Sequence, residues 1–570
     1  MNQDPRDHSP SFPHAINDGE PAPAPDDPSR RRFVIGAGSA LALGAGLGLA
    51  GCGGGQGNSA EDRFGFGVAS GDPLPDRVIL WTRVNNLPGP ADVTWEVASD
   101  AAFTRVVRSG IAHTDASRDF TVKVDADGLQ PATAYFYRFH FGGDVSRTGG
   151  TKTLPVGNTP LVRLAVFCCA AYSVGQFHAY NHASNRNDLD AAVMLGDYIY
   201  ETGLSDGEQA AARILGRAAD PQGELHTLTE YRQRYKRYHT DSDLRALRAV
   251  MPIIAVWDDH ELINDIWRGG AGGHDPASEG SFIERRAAAI QAFHEWLPTR
   301  TGPDPMKIYR SFDYGNLLSL HMLDTRVIGR DAPLGRDAFL AGAADDPNRQ
   351  LLGAEQEAVL LQRMQGSSAT WQVLGQQVVM GPMRIPLSVF DNFSEDAINE
   401  FVQALDTPEA ARTDRQRALI AQPRIGYELS NWDGYPAARD RVLGAARSLD
   451  KNLVVLSGDS HNAWSHDLRD ASGTRAGVEF ATASVTSTGL EFTHPKVGRQ
   501  FLADSFRRMI PDLKFAETSH RGYLTVTFTP EVAIGDWIFV SSVFENDFSA
   551  FVGGRMQTLP GSANRSLLPA

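Results

Sequence analysis

"LVRLAVFCCAAY" (161–172) is a short apolar run that closes on two adjacent cysteines, in a chain with only three. Its Val, Leu and Phe content and the small residues behind it read as a buried β-strand. The pattern of the chain changes at this point. Upstream, short runs rich in Val, Thr and aromatics are separated by Gly, Pro and Asp; downstream, apolar strands alternate with amphipathic helical stretches. The first pattern reads as an all-β unit and the second as an α/β layer structure. The cysteine pair is a separate puzzle, since neighbouring residues fit disulfide geometry poorly. Burial or metal ligation is what remains for them.

Working outward, the upstream runs are "RVILWTRV" (77–84), "DVTWEVAS" (92–99), "DFTVKVDA" (119–126) and "AYFYRFHF" (134–141). With "GLQPATAY" (128–135), which resembles the turn into a late strand of fibronectin type III-like domains, they predict a β-sandwich over 61–155. Downstream strands are expected in "LVRLAVFC", "AAVMLGD" (191–197), "MPIIAVWDD" (251–259), "LLSLHMLDT" (317–325), "WQVLGQQVV" (371–379) and "NLVVLSGD" (452–459). "DLRALRAV" (243–250) and "FIERRAAAIQAFHEWL" (282–297) are helix-like, and "GYLTVTFTP" (522–530) with "AIGDWIFVSSVFE" (533–545) reads as a closing antiparallel pair. The expected division is a catalytic unit over 156–550 and a tail over 551–570.

Length and charge narrow the function. At 570 residues the chain is too long for one small core. A formal net charge of -15 argues against nucleic-acid binding, which needs excess Lys and Arg. A small phosphorylated substrate stays open, because a metal ion can reverse the local field. Within residues 1–60, Ser29-Arg30-Arg31-Arg32-Phe33-Val34 precedes an uncharged Ala/Gly/Leu stretch and resembles a twin-arginine export signal. Leu49-Ala50-Gly51-Cys52 resembles a lipobox, so Cys52 is a candidate for lipidation with a Gly-rich tether behind it. These features imply the twin-arginine export machinery as a partner, a periplasmic or extracellular location and a possible lipid anchor.

Four apolar strands each end on possible metal ligands: Cys168-Cys169, Gly196-Asp197 with Tyr198 and Tyr200, Asp258-Asp259-His260-Glu261, and Gly458-Asp459-Ser460-His461. In α/β sheets ligands bind beyond the carboxyl ends of strands, so four such ends can converge. Thiolate, phenolate, imidazole and carboxylates together suit two unlike cations, one tolerant of sulfur and one hard. Two metals about 3.5–4 Å apart clamp both oxygens of a phosphoryl transfer and acidify a bridging water.

The order of these strings resembles the alkaline phosphatase D (PhoD-like) family of calcineurin-like metallophosphoesterases. The strings that carry the resemblance include "FGVASGDPLPDRVILWTRV" (66–84), "MLGDYIYE" (194–201), "AVWDDHELIND" (255–265), "NWDGYPAARDRVL" (431–443) and "LSGDSHNAW" (456–464). The resemblance implies a four-layer α/β-sandwich catalytic domain and a centre of Fe3+ beside one or two Ca2+. Carried over by position, Cys169 is the thiolate ligand, Asp197 the bridge, Tyr200 the phenolate and His461 the fourth iron-side ligand. Asp459 and either Asp259 or Asn264 hold the divalent side, His260 protonates the leaving group or holds the phosphate, and Arg326 in "LDTR" either meets a phosphate oxygen or forms a buried pair with carboxylates. Gln376 and Asp433 are weaker candidates, and Cys168 is an extra thiol.

The family's Gln after the ligand cysteine is replaced by Ala170-Ala171, and its Val in the last motif by Ser460. The implied activity is a metal-dependent alkaline phosphatase in which a metal-bridging hydroxide attacks a phosphate ester in line. The rivals are a phosphodiesterase or phospholipase D-like hydrolase of lipids or wall polymers, and a non-catalytic metal-binding surface lipoprotein.

Overall fold

The 161–172 run forms the strand Val162–Phe167, which pairs in parallel with Ala191–Met194; that strand pairs in parallel with Pro252–Ala255. All three are fully apolar or small at nearly every position, as strands buried on both faces must be. The computed structural model containing them describes residues 63–570, so the expected export signal, tether and Cys52 lie outside the described residues.

These strands are the centre of a ten-stranded sheet. On one flank Arg521–Phe528 pairs antiparallel with Val162–Phe167, followed by Ala533–Val540 and Ala550–Thr558. Helices Leu228–His239, Ser242–Val250 and Phe282–Trp296 contribute Tyr231, Tyr235, Leu247, Phe293 and Trp296 to the core beneath it. A seven-stranded sheet lies on the opposite side, with Leu318–Met322, Trp371–Gly375, Asn452–Ser457 and Arg475–Ala481 in parallel succession.

The period of two along a strand explains how that second sheet serves two cores. Val373, Val454 and Val478 join the core shared with the large sheet, whereas their neighbours Leu374 and Val455 join a second core. Helices Ala354–Gly366 and Pro436–Ser448 close that second core through Leu360, Met364, Val442 and Leu443. The order is helix, sheet, sheet, helix: the expected four-layer α/β-sandwich.

The N-terminal β-unit is a sandwich with a shared wall. Ala91–Ala98, Val106–Thr114, Ala134–Phe141 and Gly149–Lys152 build one sheet. Its Val93, Val97, Tyr137 and Phe139 pack against Val68, Val78, Leu80 and Val122. Those partners belong to Val68–Gly71, Val78–Arg83 and Thr121–Ala126, which extend the ten-stranded sheet. Val68–Gly71 lies parallel to Pro252–Ala255, so the boundary expected at 155 is not a break between sheets.

The C-terminal stretch also differs from expectation. Ala550–Thr558 is a strand of the same sheet rather than a tail, and Met556 and Leu567 are buried in its core. Its polar and glycine positions, natural in a strand near a sheet edge, conceal the hydrophobic signal.

One ion pair fastens the N-terminal strand to the second sheet. The fully buried Asp72, directly after Gly71, accepts from Arg310 Nε (2.8 Å) and NH2 (2.6 Å) and from the Arg300 backbone N–H (2.6 Å). Removing one partner of such a pair strands the other charge. Asp72→Ala is expected to lower unfolding stability by about 3 kcal/mol in a denaturant titration; an unchanged midpoint would show that Asp72 carries no such role.

Candidate metal centre

Four side chains that converge at the strand ends sit on left-handed backbone: Cys169 (φ 55), Asp197 (φ 53), Asp459 (φ 61) and His461 (φ 60). That conformation is uncommon for non-glycine residues and costs on the order of 1–3 kcal/mol each. It turns the chain sharply as each strand leaves its sheet, which aims the side chains inward rather than along the strand. Gly196 (φ 110) makes this possible between neighbouring strands, because a Cβ there would lie 2.3 Å from the Cβ of Asp258.

The turns bring donors from both sheets together. Ligand atoms of Cys169, Asp197 and His461 lie within 4.8 Å of one another, and those of Asp197, Asp259 and His260 do likewise. Asp197 belongs to both groups, the position expected of a bridging carboxylate. The Tyr200 hydroxyl donates to Asp197 Oδ2 (3.0 Å), stands 3.3 Å from His461 Nε2 and shares a hydrogen bond with Ser487 Oγ (2.7 Å). His461 Nδ1 donates to the Thr488 carbonyl (2.6 Å), which fixes the ring and leaves Nε2 as the ligating atom. Asp259 Oδ2 accepts from the Asp265 N–H (2.8 Å), while its buried Oδ1 has no hydrogen-bond partner. Asn264 is held by its backbone N–H on Glu201 (2.6 Å), beside His260.

Two glutamates that sequence reasoning left without a role organise this frame. Glu261 is completely buried and accepts from the backbone N–H groups of Asp197 (3.0 Å), Tyr198 (2.6 Å) and Asp258 (2.7 Å). One carboxylate thus locks two strand ends in register. Glu201, equally buried, accepts from His260 Nδ1 (2.7 Å) and orients that ring, which also stacks on Tyr200 with centroids 4.3 Å apart. Both lie in quoted strings, Glu201 closing "MLGDYIYE" and Glu261 following the acids of "AVWDDHELIND".

Arg326 is placed differently from a phosphate clamp. It is 1% exposed, its Nε donates to Asp258 and its NH2 to Asp459 (2.6 Å), and it stands 3.5 Å from Asp259 Oδ1. The guanidinium neutralises carboxylates instead of facing a ligand. Gln376 and Asp433 serve local structure. Gln376 bridges the Val378 carbonyl and the Trp432 indole, and Asp433 accepts from Met383 N, Arg384 and Arg439. Cys168 and Cys169 are both free thiols. Cys168 packs against Gly458, contacts the Ala483 carbonyl and also interacts with the Cys169 thiol, so the left-handed turn at Cys169 does not give the full separation that strand alternation predicts.

The electrostatics fit a cation. Burial pushes Cys169, Asp197 and Tyr200 well above their ordinary values, and neighbours add to it: Cys168 and Asp197 for Cys169, Asp259 and Glu261 against the opposing His260 for Asp197, and Asp197 for Tyr200. Burial lowers His461 to about 4, keeping it neutral and free to ligate. For His260 burial acts downward, but Glu201, Asp197 and Asp259 outweigh it and hold the imidazolium. A metal ion among sulfur, phenol and carboxyl reverses the first three shifts. With Asp259 Oδ1 free of any hydrogen bond and only 3.5 Å from the Arg326 guanidinium, the donor set matches a sulfur-tolerant cation at Cys169, Asp197, Tyr200 and His461, with a harder one toward Asp259.

Comparison with known proteins places the chain. Residues 164–537 match the model of the PhoD-like phosphatase family and residues 50–155 that of the PhoD-like phosphatase N-terminal domain. Alkaline phosphatase D of Bacillus subtilis (strain 168) is 35% identical over 504 residues, covering 85% of this chain and 78% of that protein. The solved structure of PhoD superposes with TM-score 0.73 at 32% identity, covering 90% of this chain and 93% of that one. Purple acid phosphatase PPD1 of yellow lupin (Lupinus luteus) shares the fold at TM-score 0.50 and 11% identity, covering 86% and 73%.

Because burial favours the protonated forms of Cys169, Asp197 and Tyr200 when no cation is present, uptake must expel those protons. Metal binding to the stripped protein is expected to release about one proton or more per cation and to weaken as pH falls. Calorimetry in two buffers of unequal ionisation heat reads this directly; equal apparent heats in both would contradict the protonated starting state.

Proposed function

The chain belongs to the PhoD-like phosphatase family, and on that premise we propose that it hydrolyses phosphate esters at the centre built by Cys169, Asp197, Tyr200, Asp259, His260 and His461. The observation that carries the reading is the shared position of Asp197 in two donor groups, with the oriented His260 alongside. When bound, cations there supply Lewis-acid polarisation of the phosphoryl oxygens and a water acid enough to attack near neutral pH.

The chain's own residues do the rest. Glu201 binds His260 Nδ1, which leaves the Nε2 proton for the departing ester oxygen. Tyr200 stacks against that ring and prevents it from turning away. Arg326 balances Asp258 and Asp459, so that adding a dianionic phosphate does not add to an uncompensated negative field. We further propose Fe3+ at the thiolate side and Ca2+ toward Asp259, with Asn264 and Asp459 as supporting oxygens.

A phosphodiester reading has one feature in its favour. Two recesses of about 80 and 170 Å³ flank His461 and share Thr488. They could take the two arms of a diester; relative turnover of a monoester and its diester decides between the readings. The oriented His260 weighs against a purely structural metal-binding lipoprotein.

Cys169→Ala and Asp197→Ala are each expected to lower phosphatase turnover by about a thousandfold or more while circular dichroism stays native. Metal analysis of the wild type is expected to give iron with calcium; full activity in both variants would remove the site from the chemistry. The export reading rests on residues 29–52, with Cys52 as lipid acceptor. The double change Arg30→Lys, Arg31→Lys is expected to hold the enzyme in the cytoplasm on fractionation; unaltered export would sink that reading.

A further inference from the structure

A wide cleft lies away from the metal centre. It has a volume of about 860 Å³ and is walled by the strand Thr121–Ala126, the helix Phe282–Trp296 and residues 301–306. That volume is within the range of small-ligand sites, roughly 300–1,000 Å³. No residue of the proposed catalytic centre lines it.

Its charge is unusual for this chain. In a protein of formal net charge -15, the cleft presents Arg118, Lys123 and Arg286, and none of the three has a carboxylate partner among the described residues. Lys123 Nζ donates only to neutral acceptors, the Thr299 carbonyl (2.8 Å) and Thr301 Oγ1 (3.3 Å); Arg286 NH1 donates to the Arg268 carbonyl (3.2 Å). The two acids of the cleft are already engaged. Glu295 is bound bidentately by Arg232 (2.7 and 2.6 Å), and Asp304 accepts from the Met306 N–H (3.0 Å). The facing wall is apolar, from Ile283, Ile290 and Met306.

We propose that this cleft is a binding site for a small amphipathic anion, a carboxylate with an apolar tail, whose head meets Lys123 between Arg118 and Arg286. Burial pulls the Lys123 ammonium down to about 7, outweighing the opposing Asp72 and Glu295; an incoming carboxylate offsets that penalty. The charge-assisted contact supplies orientation, and the aliphatic wall supplies the rest of the affinity.

The test uses the metal-loaded full chain and decanoate, with decanol and decyltrimethylammonium as controls. Calorimetry is expected to show one decanoate per chain and at least about tenfold weaker binding of either control. Lys123→Met is expected to weaken decanoate about tenfold. Ala287→Trp, at an exposed helix position on the rim, is expected to abolish binding by filling the cleft. Phosphate-ester turnover should be unchanged in both variants, which separates this site from the catalytic one. Decanol or decyltrimethylammonium binding as well as decanoate, or decanoate affinity unaltered by Ala287→Trp, overturns the proposal.

Discussion

Acidic groups that repel one another are buried side by side at the meeting of two sheets, and most of the architecture exists to hold them there. Cys169, Asp197 and Tyr200 are each made weaker acids by loss of water and by their neighbours. Such a cluster does not persist by packing alone. The protein restrains it in three ways: backbone donors on Glu261, the buried Arg326 among Asp258 and Asp459, and left-handed turns that remove other directions for the side chains. What these devices leave unfinished is positive charge near Asp197, and that deficit is what makes the cluster useful.

The N-terminal sandwich contributes to this stiffness from a distance. Because Val68–Gly71 adds directly to Pro252–Ala255, the strand delivering Asp258 and Asp259 is flanked by hydrogen-bonded neighbours on both sides. An edge strand would be freer to shift, and a small displacement at its end would separate donors that must lie within a few ångströms. The β-unit therefore acts as a buttress of the catalytic sheet. Its five-stranded layer covers the apolar face that the added strands would otherwise expose.

Much of this was legible in the sequence because the chemistry falls at the ends of strong apolar runs. Val162–Phe167, Ala191–Met194, Pro252–Ala255 and Asn452–Ser457 all lie inside the predicted runs, and the donors follow within a few residues. The Arg326 pairing was legible only as one of two alternatives and its partners not at all: Asp258 and Asp459 are 68 and 133 residues away, and nothing local distinguishes an arginine bound to carboxylates from one awaiting phosphate. Glu201 and Glu261 were visible as residues but not as supports, since their partners are mainly backbone groups that carry no side-chain signature. The continuous sheet was hidden for a different reason. A strand as short as "VASG" shows no periodicity, and "AFVGGRMQT" is too polar to announce itself.

The donors reach the centre from two layers: Cys169, Asp197 and Asp259 leave the ten-stranded sheet, while Asp459 and His461 leave the other. Neither layer alone presents a complete cage, so the two must dock before an ion can be gripped on all sides. Any ion taken up there is therefore gripped fully only in the docked state of the two layers. An ion seated there is also a rivet across the interface, and its loss would loosen the seam between the layers before it disturbed either one.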